Sequence, residues 1–396
     1  MNRMQSSRRG ASGFSLVEAM VGLVLTGFLI IGMVQVFSAS RTAYQASAGV
    51  SRTQEGSRFA IDFLARDIRM AGHMGCANDM AHFPQTAPAD PEFYNHFGAG
   101  TSAPYGLRFD VPIQGYEANT SAPGNTVNLA APAAGWAPAL NAGIAALSPV
   151  PVRGSDVLVL RFFGTDSAPM ITMNSTVVPA TMSVPASMAP FIRTNDAPVY
   201  GLYGVANCKT ASVFRATSNA NAAGQFQIAT TGINAVGFIE PAYAPNAANI
   251  FPAQSMVYYV GMGPGGVPSL YRSRFNGTAW TASEELVEGV EMMQLTYGRD
   301  TNATAPDGGI DNYATASGIA AADPTADATA SANWRRVGAV RMSLLLRSTE
   351  RAGTRDLVAG SQLRVGGVIV TPVAGSGLLR VPYDTTIAIR NRLFGN

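Results

Sequence analysis

Hydrophobic patterning divides the chain sharply near its start. From Phe14 to Phe37 it reads FSLVEAMVGLVLTGFLIIGMVQVF, with Glu18 as the only charged residue. As a helix this run would extend about 36 Å, enough to cross the roughly 30 Å hydrocarbon core of a bilayer. Arg3, Arg8 and Arg9 precede it without an acidic residue among them. The positive-inside rule therefore keeps the short N-terminus cytoplasmic and exports the chain beyond Phe37. A cleavable secretory signal has an apolar region of roughly 7–15 residues that ends in small residues. Ser38, Ala39 and Ser40 could form such a site. Against that reading, the run is too long, carries an acid near its start, and continues beyond Ser40 as a helix.

From Arg41 to Met70 the period stays helical, with Ala60, Leu64 and Ile68 on one face and Phe59 and Phe63 adjoining it. Arg58, Asp62 and Arg66 fall at i, i+4 spacing, which predicts an exposed face. Gly49 and Gly56 weaken the stretch, and either a bend or simple tolerance would explain them. Gly72 and Gly75 are stop signals. After Cys76 the helical period vanishes and short β-type runs replace it: 106–111, 156–163, 211–215, 256–260, 270–275, 290–297, 337–347, 363–371 and 385–390. Stretches rich in Pro, Ala, Gly and Ser at 84–104, 117–151 and 300–332 read as surface insertions, because they are too long for minimal connections. The expected fold class is α+β, with one long N-terminal helix carrying a large antiparallel-sheet head.

Composition fits that picture and removes several function classes. With 396 residues and 47% hydrophobic content there is ample material for a core. Only 13% of residues are charged, and the formal net charge of +2 has no basic stripe of the kind that binds nucleic acid, so no nucleic-acid partner is expected. Lys209 is the only lysine. The preference for Arg suits planar pairing with carboxylates, and would equally follow from a GC-rich genome. Cys76 and Cys208, the only cysteines, are too few for a zinc site and predict one disulfide, which requires an oxidising compartment. His73, His82 and His96 match no catalytic spacing, and no nucleophile elbow or P-loop is present. Gly261 to Gly266 joins two β-type runs and reads as a turn. Asp300, Asp307 and Asp311 share a loop with Gly308 and Gly309; oxygen-rich loops can hold calcium, but the spacing fits no EF-hand, and an exposed polar loop is the simpler reading. No cofactor, metal ligand or catalytic residue is assigned.

The segment Gly13-Phe14-Ser15-Leu16-Val17-Glu18 resembles the processing site of type IV prepilins and type II secretion pseudopilins. The resemblance implies that a prepilin peptidase cuts between Gly13 and Phe14 on the cytoplasmic side and methylates Phe14, leaving Glu18 as the fifth residue. A carboxylate at mid-membrane costs about 3 kcal/mol and needs a partner or a function. The resemblance supplies one, the free amine of Phe14 on a neighbouring subunit; snorkelling to the cytoplasmic surface is the alternative. Further segments resemble PilW-type minor pilins: Glu285 to Asp300, Asp311-Asn312-Tyr313, Trp334 to Val337 with Val340 to Arg347, Ile389 to Arg392, and Arg66 to Gly72.

This resemblance divides the chain into a leader at 1–13, a transmembrane part at 14–37, a periplasmic amphipathic part at 38–72 and a β-rich head at 73–396. It implies a non-enzymatic subunit, held in the bacterial inner membrane with its head in the periplasm and later carried in the pilus fibre at the cell surface. The implied partners are the prepilin peptidase, other minor pilins, the major pilin, a pilus tip adhesin and the inner-membrane assembly platform. The implied role is a priming or tip complex for pilus assembly, twitching motility and adhesion. Two competing readings are a type II secretion pseudopilin and a membrane-tethered periplasmic enzyme or binding protein.

Overall fold

A computed structural model describes residues 13, 15–76, 93–98, 103–229, 232–234, 243–303, 307–323, 327–351, 362–373 and 375–389. Helix α1 runs unbroken from Leu16 to Met70, a length of about 80 Å at the standard rise. Ser15 caps its N-terminus by accepting a hydrogen bond from the Val17 amide, 3.3 Å away. At the other end the Ala71 amide returns to the Ile68 carbonyl, and Gly72 and Gly75 turn the chain with φ of 74° and 72°. Gly49 and Gly56 do not break the helix. Gly56 instead permits close packing, since a Cβ there would lie 3.3 Å from Leu346 Cδ2 and 3.5 Å from Val287 Cγ1.

The head is built mainly from antiparallel strands in several sheets. The largest follows the order β1 (Phe93–Asn95), β10 (Ala211–Arg215), β9 (Leu202–Ala206), β12 (Asn249–Met262), β5 (Val157–Phe163), β2 (Ile113–Ala118) and β4 (Trp136–Ala137). Strand β12 is long enough to change neighbours. Asn249 to Pro252 pair with β9, Ala253 to Tyr258 pair with β5, and Met256 to Met262 pair with β13 (Pro268–Arg274), which leads to β14 (Glu284–Glu288). The short β6 (Ala168–Pro169) also joins β12. A second sheet has the order β16 (Asn312–Ala314), β15 (Val290–Arg299), β17 (Val337–Arg347) and β20 (Arg380–Ala388). Two small sheets complete the head: β11 (Gln225–Ile228), β8 (Ala180–Ser183) and β7 (Thr172–Asn174), then β18 (Leu363–Val365), β19 (Val368–Thr371) and β3 (Thr126–Asn128). Pairings β1 with β10 and β19 with β3 are parallel.

Several expectations need correction. The run at 106–111 is not a strand: Tyr105–Leu107 form a 3-10 turn, and Phe109 and Val111 are core residues reached through a compact loop. The run at 363–371 is two strands, because the turn at Gly366 and Gly367 folds it into a hairpin. The stretches at 117–151 and 300–332 are not merely surface decoration. The first carries α2 (Ala142–Ala145) and buries Val127, Ile144 and Leu147; the second carries α3 (Ala316–Ile319) and the start of α4 (Ala328–Arg335), and buries Ile319 and Ala330. Apolar residues outside any clear period drive these segments inward, where a compositional reading sees only their Pro, Ala and Gly. Most of 84–104 lies outside the described residues.

One core joins the three main parts. Ala60, Leu64 and Ile68 of α1 pack with Leu158, Leu160 and Met256 of the large sheet and with Leu344, Leu346 and Ile387 of the second. Phe59 and Phe63 remain on the open side, as do Arg58, Asp62 and Arg66. Buried Asp156, at the start of β5, stitches the two sheets together by accepting 2.8 Å hydrogen bonds from the Ala118 and Leu295 amides. Its pKa is pushed up to about 8 by burial, which outweighs the two backbone N–H donors that favour the ionised form. Arginine forks recur in the same interior. Arg380 holds Glu291 with two bonds, and Arg108 holds Asp110 with two more at 2.8 Å, so planar pairing is a real use of the arginine-rich composition.

Candidate functional site

Helix α1 has two unlike halves. Leu16, Leu23, Phe28, Leu29, Met33 and Phe37 are each at least 70% exposed, and the most apolar 18-residue window of the helix has no part buried by the rest of the protein. Such a length of bare apolar helix is unstable in water and requires a bilayer or other apolar helices around it. From Gly49 onward the helix contributes buried side chains and lies against β20, β17, β14 and β5. The transition needs no kink, since it depends only on which positions meet a sheet.

Polar contacts fasten the second half. Asp67 is 91% buried and accepts from the Tyr258 hydroxyl, while the Arg272 guanidinium lies 3.6 Å from it. Arg272 also bonds Glu284 at 2.8 Å, so one cation bridges the helix and strand β14. Burial, then the Asp67 charge, raises the Tyr258 phenol far above its ordinary range and keeps it a donor. Beyond the helix, Cys76 and Cys208 form a disulfide across 132 positions, joining the helix exit to the β9–β10 turn. His73 reinforces that exit: its Nδ1 donates to the Phe163 carbonyl at 2.9 Å, and its backbone carbonyl accepts from the Phe163 amide at 2.7 Å. These residues hold the stem to the head.

The residues singled out at the N-terminus stand at the free end of α1. Gly13 is exposed, Phe14 lies outside the described residues, and Glu18 is exposed in the first helical turn. The separate chain offers Glu18 no ion-pair partner among the described residues. Sequence reasoning overlooked one signal here: Ser15-Leu16-Val17-Glu18 is an S-x-x-E capping pattern, and Ser15 does cap the helix. An acid at that position also complements the positive end of the helix dipole.

In the acidic loop the carboxylates serve the loop's own backbone. Asp300 accepts from the Asn302, Asp307 and Gly308 amides, and Asp311 from the Thr301 amide and hydroxyl. Those two bonds from Thr301 hold the Asp311 carboxyl below its ordinary range. Among the described residues, no group of three or more His, Cys, Asp and Glu side chains is placed to hold a metal ion. His82 lies outside them, and His96 is buried at 3% exposure.

Residues 257–391 match the family model PilW, described as Type IV Pilus-assembly protein W. The match begins within β12 and continues through β20. No curated protein matches the chain, and no solved structure does.

Proposed function

From the premise that this chain is a PilW-like, type IV pilus assembly-related protein, we propose that it is a minor pilin. It is made with a leader at 1–13, anchored by the apolar part of α1, cut between Gly13 and Phe14 by a prepilin peptidase, and methylated on Phe14. The mature subunit then joins other minor pilins in a complex that primes the fibre or lies at its tip, supporting twitching motility and adhesion. The observation that carries this reading is a helix whose first half is bare and apolar while its second half is fixed into the head. Such a design lets the same surface face lipid before assembly and neighbouring helices afterwards.

Within that reading Glu18 pairs with the Phe14 amine of an adjacent subunit. The pair becomes worthwhile only in the fibre, where both charges leave water together. The inner-membrane assembly platform, the major pilin and a tip adhesin are the remaining expected partners. Mass spectrometry of the protein recovered from sheared pili tests the proposal. The expected mature chain lacks thirteen residues of the sequence and begins with N-methylated Phe14. A mature N-terminus at Arg41, or absence of the protein from purified fibres and piliation unchanged by deletion of its gene, would overturn it.

A further inference from the structure

A cleft of about 730 Å³ opens on the head between the 3-10 turn that carries Tyr105, the 141–148 segment and the turn joining β13 to β14. Its size falls within the roughly 300–1,000 Å³ typical of small-molecule sites. None of its lining side chains is charged. The aromatic floor comes from Tyr105, Phe275 and Trp280, and neutral polar groups come from Asn141, Ser148 and Ser283.

The walls are built before any ligand arrives. Trp280 stands edge-on to Phe275, with ring centroids 5.2 Å apart and planes at 69°. The Asn276 side-chain oxygen accepts from the Thr278 and Ala279 amides and so fixes the turn that presents the indole. Across the cleft, Asn141 accepts from the Gly143 amide, which leaves its side-chain amide N–H groups unused among the described residues. The absent side chain of Gly143 keeps the indole edge open, since a Cβ there would lie 3.3 Å from Trp280 Nε1. That nitrogen has no protein acceptor among the described residues. Tyr259 gives its one hydroxyl proton to the Pro149 carbonyl at 2.8 Å, so Ser283 Oγ, 2.7 Å from it, donates to Tyr259 and keeps its lone pairs for an outside donor.

We propose that this cleft binds a neutral carbohydrate, with a pyranose ring stacked on Trp280 and its hydroxyls bonded to Asn141, Ser283 and the indole N–H. The chemistry selects that class. A sugar ring offers an apolar C–H face to the aromatic surface and neutral hydroxyls to the rim. An anionic or cationic ligand would surrender its hydration with no counter-charge among the lining residues. One wall comes from the stretch matched to PilW and the other from the insertion at 117–151, so the insertion acquires a role as half of a binding site.

The test uses the full chain in a zwitterionic detergent without a sugar headgroup, titrated calorimetrically with cellotriose and with chitotriose. At least one trisaccharide is expected to bind saturably, with a dissociation constant at or below about 1 mM. Trp280→Ala should weaken that binding by about tenfold or more, and Trp280→Phe less. Ala146→Arg, at an exposed position on the cleft wall, fills the space without entering the core and should abolish binding while leaving the thermal midpoint unchanged. No saturable heat from either sugar up to about 10 mM would overturn the proposal. So would binding that survives Ala146→Arg, or tighter binding of a trigalacturonate or an apolar leucine-rich peptide than of the neutral sugars. Failure here leaves the pilin reading intact, because that reading rests on α1.

Discussion

Replacing Asp156 with asparagine should change how stability depends on pH. The side chain is 98% buried and its folded-state pKa of about 8 stands well above the ordinary 3.8. Because the folded value is the higher one, the native state holds a proton that the unfolded chain releases. This contribution is fully present below about pH 4, and is lost as pH rises toward about 8. Over that window the loss is about 1.4 kcal/mol per pH unit, or roughly 4 kcal/mol by neutral pH. A carboxamide stays neutral throughout, so the Asp156→Asn variant lacks this slope. It also loses one acceptor for either the Ala118 or the Leu295 amide, a pH-independent cost of about 1–3 kcal/mol. Urea unfolding of both proteins from about pH 5 to about pH 8, monitored by near-ultraviolet circular dichroism, separates the two effects. The wild-type midpoint should fall steadily with pH while the variant stays nearly level and becomes the more stable protein at the alkaline end. Asp110 does not confuse the comparison: its arginine partners hold its pKa below the ordinary carboxylate value, so its contribution is lost only on acidification below that range. Equal slopes in the two proteins would refute the argument.

Reduction of the disulfide, or Cys76→Ser with Cys208→Ser, should lower stability by about 5 kcal/mol on a chain-entropy estimate, read as a shift in the urea midpoint; both thiols reacting with an alkylating reagent in unreduced, unfolded protein would disprove the bond in cells. Tyr258→Phe should cost about 1.5–3 kcal/mol, since it removes a donor to the buried Asp67 carboxylate, and an unchanged thermal midpoint would count against that anchorage. Leu64→Ala, at a fully buried contact between α1 and both sheets, should cost about 2–5 kcal/mol without altering membrane insertion. Glu18→Ala and Glu18→Gln should reach the membrane and be cleaved normally but be depleted from sheared pili; normal incorporation of both would show that the carboxylate is dispensable.

Local chemistry makes parts of this structure legible from sequence. The helical period from Arg41 to Met70 marks Ala60, Leu64 and Ile68 as the buried face, and those side chains do reach the core. Strands β10 and β17 can be read because each is a compact, mainly apolar run bounded by polar residues, and both agree with the expected boundaries. Strand β2 escapes such a reading: Ile113 to Ala118 contains Gln, Gly and Glu, which look polar although every residue is buried. Its Glu117 accepts from Ser317, and Gln114 bonds Tyr116, so burial is made tolerable by partners far away or otherwise invisible to a local pattern. Likewise, no local signal marks Asp156 as a seam between sheets, because its two donors come from residues 38 and 139 positions away. The carbohydrate cleft is hidden for the same reason, since its two walls meet only after the head has folded.

The reach of the family match also has a physical explanation. Residues 257–391 contain the end of β12 and all of β14, β17 and β20, and the last three contact α1 directly. Tyr258, Arg272 and Glu284, which tie the helix to the head through Asp67, fall in the same stretch. Thus the recognisable part of the head is the part that carries the stem. Strands β1 to β11, by contrast, flank β12 in the large sheet and form the β7–β8–β11 layer, apart from β3, which pairs with β19; of these strands β5 lies most extensively against the helix. Side chains that grip the helix have to fit its buried face. The outer strands and insertions need only close their own cores, around Phe163 and Phe251 on one side and Tyr203 and Phe214 on the other. Their sequence is then free to encode whatever the exposed end of the head meets, and the disulfide at Cys76 and Cys208 keeps that end fastened to the stem.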